Sequence, residues 1–355
     1  MSNIKKLMMA AASSSKDSFV AITHSATPFF SVYPWDSATG WGAKLANPSV
    51  LTFYAQGIDF SPSGGSIVHT IQYVSPWAAA YAFDKSTGIG AKRSNPSGIT
   101  GGYGNIAISP DGSVVAVAHA TSPRITALAY SDSTGFGSKY SNPSSPIPFD
   151  AFDVAWHPSG DALAVAHQSG DNVSVWPWSN SSGFGTKYSG PSTIPNSIGY
   201  GVTFSPSGND IAVTHRSTPY LSVYPWSNST GFGAKYANPS TIPNSRGYSV
   251  AFSPSGNDIA VAYGAGDYFA VYPFTSGTGF GTKYAAIGDV ADRPSSTPQG
   301  IDFTPDGAAI IVAHQGAPGV HAYHFTSGVG MGFSAYSDPS TVPNGGGKGV
   351  AVGEF

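Results

Sequence analysis

The chain has 355 residues, of which only 10% are charged, with a formal net charge of −3 and no cysteine. Average soluble proteins carry about 25% charged residues, so Gly, Ser, Thr, Asn and Pro must supply most of this surface, and no basic stripe is present to neutralise the phosphates of a nucleic acid. Without cysteine there is no disulfide framework, thiolate metal site or cysteine nucleophile, and no stretch approaches the roughly 18 apolar residues of a membrane-inserted span.

The first element in chain order is a short arm, residues 1–16. Lys5 and Lys6 precede a brief apolar run, Leu7 to Ala12, which is too short and too directly continued to read as a secretory signal of about 7–15 apolar residues with a cleavage site. The arm is expected to order only on binding a partner.

Residues 17–355 then read as a repeat of about 48 residues. Ser-Pro-(Ser/Asp)-Gly or a close relative recurs with its proline at Pro62, Pro110, Pro158, Pro206, Pro254 and Pro305. A second marker, Gly-x-Gly, begins at Gly40, Gly88, Gly135, Gly183, Gly231, Gly279 and, more loosely, Gly328, which makes seven units. In the unit at Gly201, Val202 to Phe204 is predicted as the inner strand and Ser205 to Gly208 as a tight turn, Pro presetting φ and Gly accepting φ > 0. Ile211 to His215 is predicted as the second strand and Tyr220 to Tyr224 as the third. Pro225 should mark its end or a bulge, since proline donates nothing to a ladder, and an outer strand runs from Gly231 through Lys235 and Tyr236.

The missing seventh turn falls at the chain ends. Gly349 to Val352 reads like Ser249 to Phe252, and Phe19 to His24 reads like Asp210 to His215. The fold class is therefore all-β: a seven-bladed β-propeller of four-stranded blades, its ring closed by N- and C-terminal strands in one blade.

Candidate chemistry is sparse. His24, His119, His167, His215 and His314 end the second strand in five units, with Ile71 and Tyr263 at the other two. In strand phase with residues such as Val213 they are expected to be structural, set in blade interfaces, and not metal ligands, which must converge within about 2 Å of one ion. Glu354 is the only glutamate, and serines are too numerous for spacing to select a nucleophile. No catalytic residue, metal or cofactor is expected. Aromatics beside the third-strand proline, among them Trp35, Trp178 and Trp226, are candidate stacking platforms for a glycan, against the alternative that they supply buried area between blades. Lys44, Lys92, Lys139, Lys187, Lys235 and Lys283 follow Gly-x-Gly on the outermost strand, where lysine guards a free edge.

The inner-strand pattern Gly-Val-x-Phe-Ser-Pro-Ser-Gly followed by Asp-Ile-Ala-Val resembles the YVTN propeller repeats and, more distantly, the tryptophan-aspartate repeats. The segment Met1 to Ala12, with repeats such as Val223-Tyr224-Pro225-Trp226-Ser227 and Gly231-Phe232-Gly233-Ala234-Lys235-Tyr236, resembles structural proteins of tailed bacteriophages. That resemblance implies a noncatalytic virion component, of tail, fibre or capsid-decorating type, found in the virion or outside the cell. Its partners would be other virion proteins or a host-surface receptor or glycan. Two alternatives stand beside it: a glycan-binding, lectin-like propeller, and a channel-site enzyme resembling lactonases. Metal-dependent propellers of the latter kind place acidic and amide ligands around the channel, and here Asp59, Asp153 and Asp302 lie on inner strands of nonadjacent blades. The close identity of the units around Pro206 and Pro254 argues against one specialised place.

Overall fold

The computed structural model describes residues 17–50, 53–102, 104–286 and 293–355. The arm read from residues 1–16 lies outside them. Seven four-stranded antiparallel sheets make seven blades. Blades I to VI run through residues 55–92, 106–139, 151–184, 199–232, 247–280 and 298–335, and blade VII joins Gly347–Glu354 to Ser18–His24, Phe30–Asp36 and Gly40–Trp41. No helix occurs among the described residues, so none is long and apolar enough to cross a membrane.

Each blade starts at the channel and works outward because its turns dictate it. In blade IV, Gly199–Phe204 is joined to Asp210–His215 by a turn in which the Gly208 amide donates to Ser205 O at 2.8 Å. Gly208 sits at φ 74°, a conformation open to glycine at little cost. The Ser205 hydroxyl then accepts the Asp210 amide at 3.1 Å, which caps the hairpin.

The third strand extends further than the proline suggests, through Leu221–Ser227, because the Trp226 amide still reaches Asn209 O at 2.7 Å. What Pro225 shortens is the outer strand. The outer strands of blades III, IV, V and VII face Pro177, Pro225, Pro273 and Pro34 and are two residues long. Where Ala82, Ala129 or His324 takes that place, the outer strand runs five or six residues, Gly88–Lys92, Gly135–Lys139 and Gly330–Ala335. The missing proline donor removes one ladder bond, and the pairing lapses there. The seventh outer-strand marker is Gly330-Met331-Gly332 and not Gly328: Gly330 pairs with Thr326 as Gly231 pairs with Ser227.

The core lies between blades. Alternate residues of each blade meet the next, as where Val173, Val175 and Ala164 of blade III pack on Val202, Ile211 and Tyr224 of blade IV. Alanines such as Ala116, Ala164, Ala212 and Ala260, all fully buried, let the middle strands approach closely. Buried tyrosines of the third strand place their hydroxyls on the connector that leads into the same blade's inner strand: Tyr81 on Val50 O, Tyr224 on Thr193 O and Tyr272 on Thr241 O, at 2.7–2.9 Å. In blade VII, Tyr33 makes the matching bond to Thr341 O at 2.8 Å, across the junction of the two termini.

Both termini close the ring. Gly347–Glu354 pairs with Ser18–His24 in register Val20 to Val352 and Ile22 to Val350. Asp17 and Phe355 exchange two backbone bonds of 3.1 Å. The Phe355 ring packs on Phe19, Phe60 and Phe83.

Candidate functional site in the central channel

Five inner strands carry a β-bulge at the same place, and the closing strand repeats it. In blade IV, Gly199 pairs with His215 and Gly201 with Thr214, leaving Tyr200 as the extra residue. Blades III, V and VI repeat this at Phe152, Tyr248 and Gln299. In blade I the register slips between Ala55 and Ile58, around Gln56, and in blade VII around Lys348. A bulge re-aims the extra side chain away from the ladder, and all six residues line one mouth of the channel. Equivalent stretches of backbone thus hold very different side chains around one opening.

The opening is a cavity of about 420 Å³, which Asp150, Gln168, Asn105 and Arg246 also line. Arg246 precedes the inner strand of blade V, and its guanidinium lies 5.1 Å from the ring centre of Tyr248 and 5.7 Å from that of Tyr200. Its Nη1 donates to the Tyr200 hydroxyl at 3.4 Å, and that bond holds the guanidinium pKa above its usual value. Phe152, Tyr200 and Tyr248 form a staircase with ring centres 5.1 and 5.8 Å apart. Lys348 lies 5.9 Å from the ring centre of Tyr54, and partial burial lowers its pKa. The mouth therefore combines two cations from different blades, a run of aromatic faces, the amides of Gln56, Gln299 and Gln168, and one carboxylate among its described lining residues, Asp150. That set suits an anionic, polyhydroxylated small molecule.

Ile58, Ile106 and Val350 form a waist shared with a second chamber of about 410 Å³ at the other end. Asp59, Asp153 and Asp302 line this lower chamber. Their carboxylates are engaged in holding blades together. Asp59 accepts the amides of Phe60 and, in blade II, Ile108 at 2.9 and 2.8 Å. Asp302 accepts those of Phe303 and, in blade VII, Val352. Asp153 accepts the Val154 and Val202 amides and Asn105 Nδ2. Burial pushes Asp59 and Asp302 up to about 7 and Asp153 to about 6.

The five histidines sit fully or nearly buried under the mouth-side loops. Nε2 of His24, His119, His167 and His215 meets the hydroxyl seven residues on, Ser31, Thr126, Ser174 and Ser222, at 2.9–3.1 Å. In blade VI the partner of His314 is His321, at 2.8 Å. Burial lowers the first four to about 4 and His314 to about 3, so the rings are neutral. Among the described residues no group of three or more potential ligands is set to hold a metal.

Trp35, Trp178 and Trp226 do not offer ring faces to a ligand. Each is at most 6% exposed, with its Nε1 bound to Ser37, Asn180 or Asn228. Their rings meet Tyr336, Tyr140 and Tyr188 edge to face at 4.8–5.0 Å, which places them in the seams between blades. Blade packing takes these faces, and that corrects their reading as glycan platforms. The residues that do face a ligand-sized cavity are the bulge residues, and a sequence signal existed for them. One position along the repeat reads Gln56, Gly104, Phe152, Tyr200, Tyr248, Gln299 and Lys348, while two residues later it reads Ile58, Ile106, Val154, Val202, Val250, Ile301 and Val350.

No protein-family model matches the chain, and no curated protein matches it in sequence. Solved structures match it end to end. A candidate 6-phosphogluconolactonase from Bacteroides fragilis NCTC 9343 is 12% identical with a TM-score of 0.76, covering 96% of this chain and 99% of its own. A second, from Bacteroides uniformis ATCC 8492, is 13% identical with a TM-score of 0.71, covering 95% and 99%. The periplasmic gluconolactonase PpgL of Pseudomonas aeruginosa is 15% identical with a TM-score of 0.67, covering 94% and 99%. At such identities the likeness shows the seven-bladed propeller fold.

These neighbours are described as lactonases, two of them as candidates, and not as virion proteins, which overturns the expectation of a virion component. The physical reason lies in what carried that expectation. Val-Tyr-Pro-Trp-Ser is the third strand of a blade, buried for the sake of packing, and the opening segment lies outside the described residues. The YVTN resemblance likewise reduces to the propeller fold it shares with these structures.

Proposed function

We propose that the protein is a lactonase-like enzyme that binds a sugar-acid lactone in the upper chamber of its channel and hydrolyses the ring ester. One observation carries this reading: side chains re-aimed by bulges in different blades converge with Arg246 on one mouth, uniting two cations, a run of three aromatic rings and a carboxylate. The end-to-end likeness to gluconolactonase propellers supports the choice of reaction.

In this scheme the sugar ring lies against the aromatic run of Phe152, Tyr200 and Tyr248, and Arg246, whose planar donors suit carboxylate or phosphate, pairs with the phosphate of a phosphorylated lactone or with the carboxylate that hydrolysis creates. Water adds to the lactone carbonyl carbon, and the negative charge that develops on the carbonyl oxygen is stabilised by the Lys348 ammonium in a partly desolvated site. Asp150 takes the proton from the attacking water. The bond from the carbonyl carbon to the ring oxygen breaks, the ring oxygen takes the proton back from Asp150, and the acid so formed gives its own proton to water and leaves as the hydroxy-acid anion.

The test is steady-state hydrolysis of glucono-δ-lactone and its 6-phosphate, followed by acid release above the spontaneous rate. Lys348→Ala and Asp150→Asn should each lower kcat by about 10²-fold or more, and Arg246→Ala should chiefly raise KM for the 6-phosphate. A wild-type protein that leaves both lactones at their spontaneous rates sinks the proposal.

A further inference from the structure

Beside the mouth, on the blade I side, lies a second aromatic surface that the single-ring substrate above does not use. Tyr73 is 73% exposed and Phe53 62% exposed. Tyr73 meets Tyr54 edge to face at 5.6 Å, Tyr54 lies beneath the Lys348 ammonium, and Phe53 packs on Phe29 at 6.4 Å. The shelf is thus continuous with the chamber through Lys348. Tyr73 is held at φ 72°, a left-handed conformation that costs a residue with a side chain. Two residues on from Tyr54, Gln56 lines the mouth, so its side chain sets a polar group beside the shelf for a ligand hydroxyl.

We infer that the shelf of Tyr54, Tyr73 and Phe53 is a second sugar subsite, so that the substrate is a glycosylated aldonic acid lactone, a disaccharide whose non-reducing ring stacks on the shelf while its lactone ring occupies the chamber. This rests on the proposed function and deepens it. An apolar pyranose face covers an exposed aromatic ring at little entropic cost, its hydroxyls stay in water at the edge, and one of them reaches Gln56. The hydrolysed bond is the same lactone ester. The glycosidic bond lies outside the chamber and stays intact.

The experiment compares glucono-δ-lactone with lactobiono-δ-lactone on the wild-type protein, Tyr73→Ala and Phe53→Ala, and measures gluconate and lactobionate binding by calorimetry. The two side chains are exposed, so the variants should fold. The expected result is a kcat/KM for the disaccharide at least about ten-fold above that for the monosaccharide, and a loss of about five-fold in Tyr73→Ala for the disaccharide alone, the size of one aromatic contact. Equal values for the two lactones, or variants that affect both alike, overturn the second subsite while leaving the lactonase reading intact. If neither lactone is turned over, the lactonase reading fails by itself. The subsite is then decided by calorimetry, where lactobionate must bind at least about ten-fold tighter than gluconate, and equal or absent binding overturns it.

Discussion

Removing residues 349–355 takes the inner strand out of blade VII, and the cost follows from what those residues touch. Phe355 stacks among Phe19, Phe60 and Phe83, and losing a half-buried phenylalanine costs about 2–3 kcal/mol. Val350, Ala351 and Val352 leave the seams on either side, worth about 3 kcal/mol together. The faces of Phe19 and Phe60 become wetted, and Asp302 and Thr23 lose the Val352 and Gly349 amides, adding about 2–3 kcal/mol. The total is of order 8 kcal/mol, within the 5–15 kcal/mol that holds a whole domain. The truncated chain should therefore lack a cooperative melting transition in circular dichroism and in scanning calorimetry. Phe355→Ala gives the graded version. A chain of this length gains about 0.7 kcal/mol/K of unfolding entropy, so the variant should melt about 3–4 °C lower. Val329→Ser, at an exposed hairpin tip, should leave Tm unchanged. A truncated protein that melts within about 2 °C of the full chain would refute closure by both termini as the source of the ring's stability.

A methyl group at Gly64, which has φ 71°, would collide with the Phe355 ring, whereas at Gly277, φ 81°, nothing lies within 4 Å. Gly64→Ala should thus cost at least about 2 kcal/mol more than Gly277→Ala in chemical denaturation, the excess reporting the contact and not the φ. His215 titrates at about 4 folded against about 6.5 unfolded, so between those values the unfolded chain holds more protons and stability falls as pH drops, by about 3 kcal/mol for this one ring. In His215→Gln the proton uptake on unfolding at pH 5 should fall by about one, read from the slope of stability against pH, and an unchanged slope would show that the ring is not held neutral. Arg246→Ala, at the channel mouth, should shift Tm by no more than about 1 °C while raising KM for the phosphorylated lactone, which separates the site from the scaffold.

The fold is legible in the sequence because it is stated seven times. Ser-Pro-Ser-Gly sets the hairpin at the channel end of each blade, and the match of Val350 to Val352 with inner strands is the pairing observed with Val20 to Ile22. What cannot be read is where the ladder lapses. Pro225 is expected to end the third strand, but a proline's missing donor acts on its partner, and the outer strand is what shortens. Aromatic residues are equally ambiguous. Trp226 and Tyr200 share a type of side chain, yet one fills a seam and the other faces the channel, and only the bulge at Tyr200 separates them. The likeness of the units around Pro206 and Pro254 argues in sequence against an enzyme. That similarity belongs to turn and second strand, which pack on neighbours and are held alike by them.

Divergence by itself does not mark a site either. Asp59 and Asp302 break the repeat as plainly as Lys348 does, since Ala107, Ala155, Thr203, Ala251 and Ala351 stand in their place elsewhere. Their carboxylates nevertheless accept two backbone amides each, one from the next blade, and line a chamber without being free to serve a ligand. Lys348 and Arg246 differ in what surrounds them. Their charged ends meet aromatic faces and a hydroxyl, partners that orient a cation without neutralising it. In a closed ring every residue that touches a neighbouring blade is bound by the same geometry seven times over. A bulge residue on the inner strand touches mainly the channel, so it can change alone, and where its polar atoms remain unneutralised it is free to act on what enters.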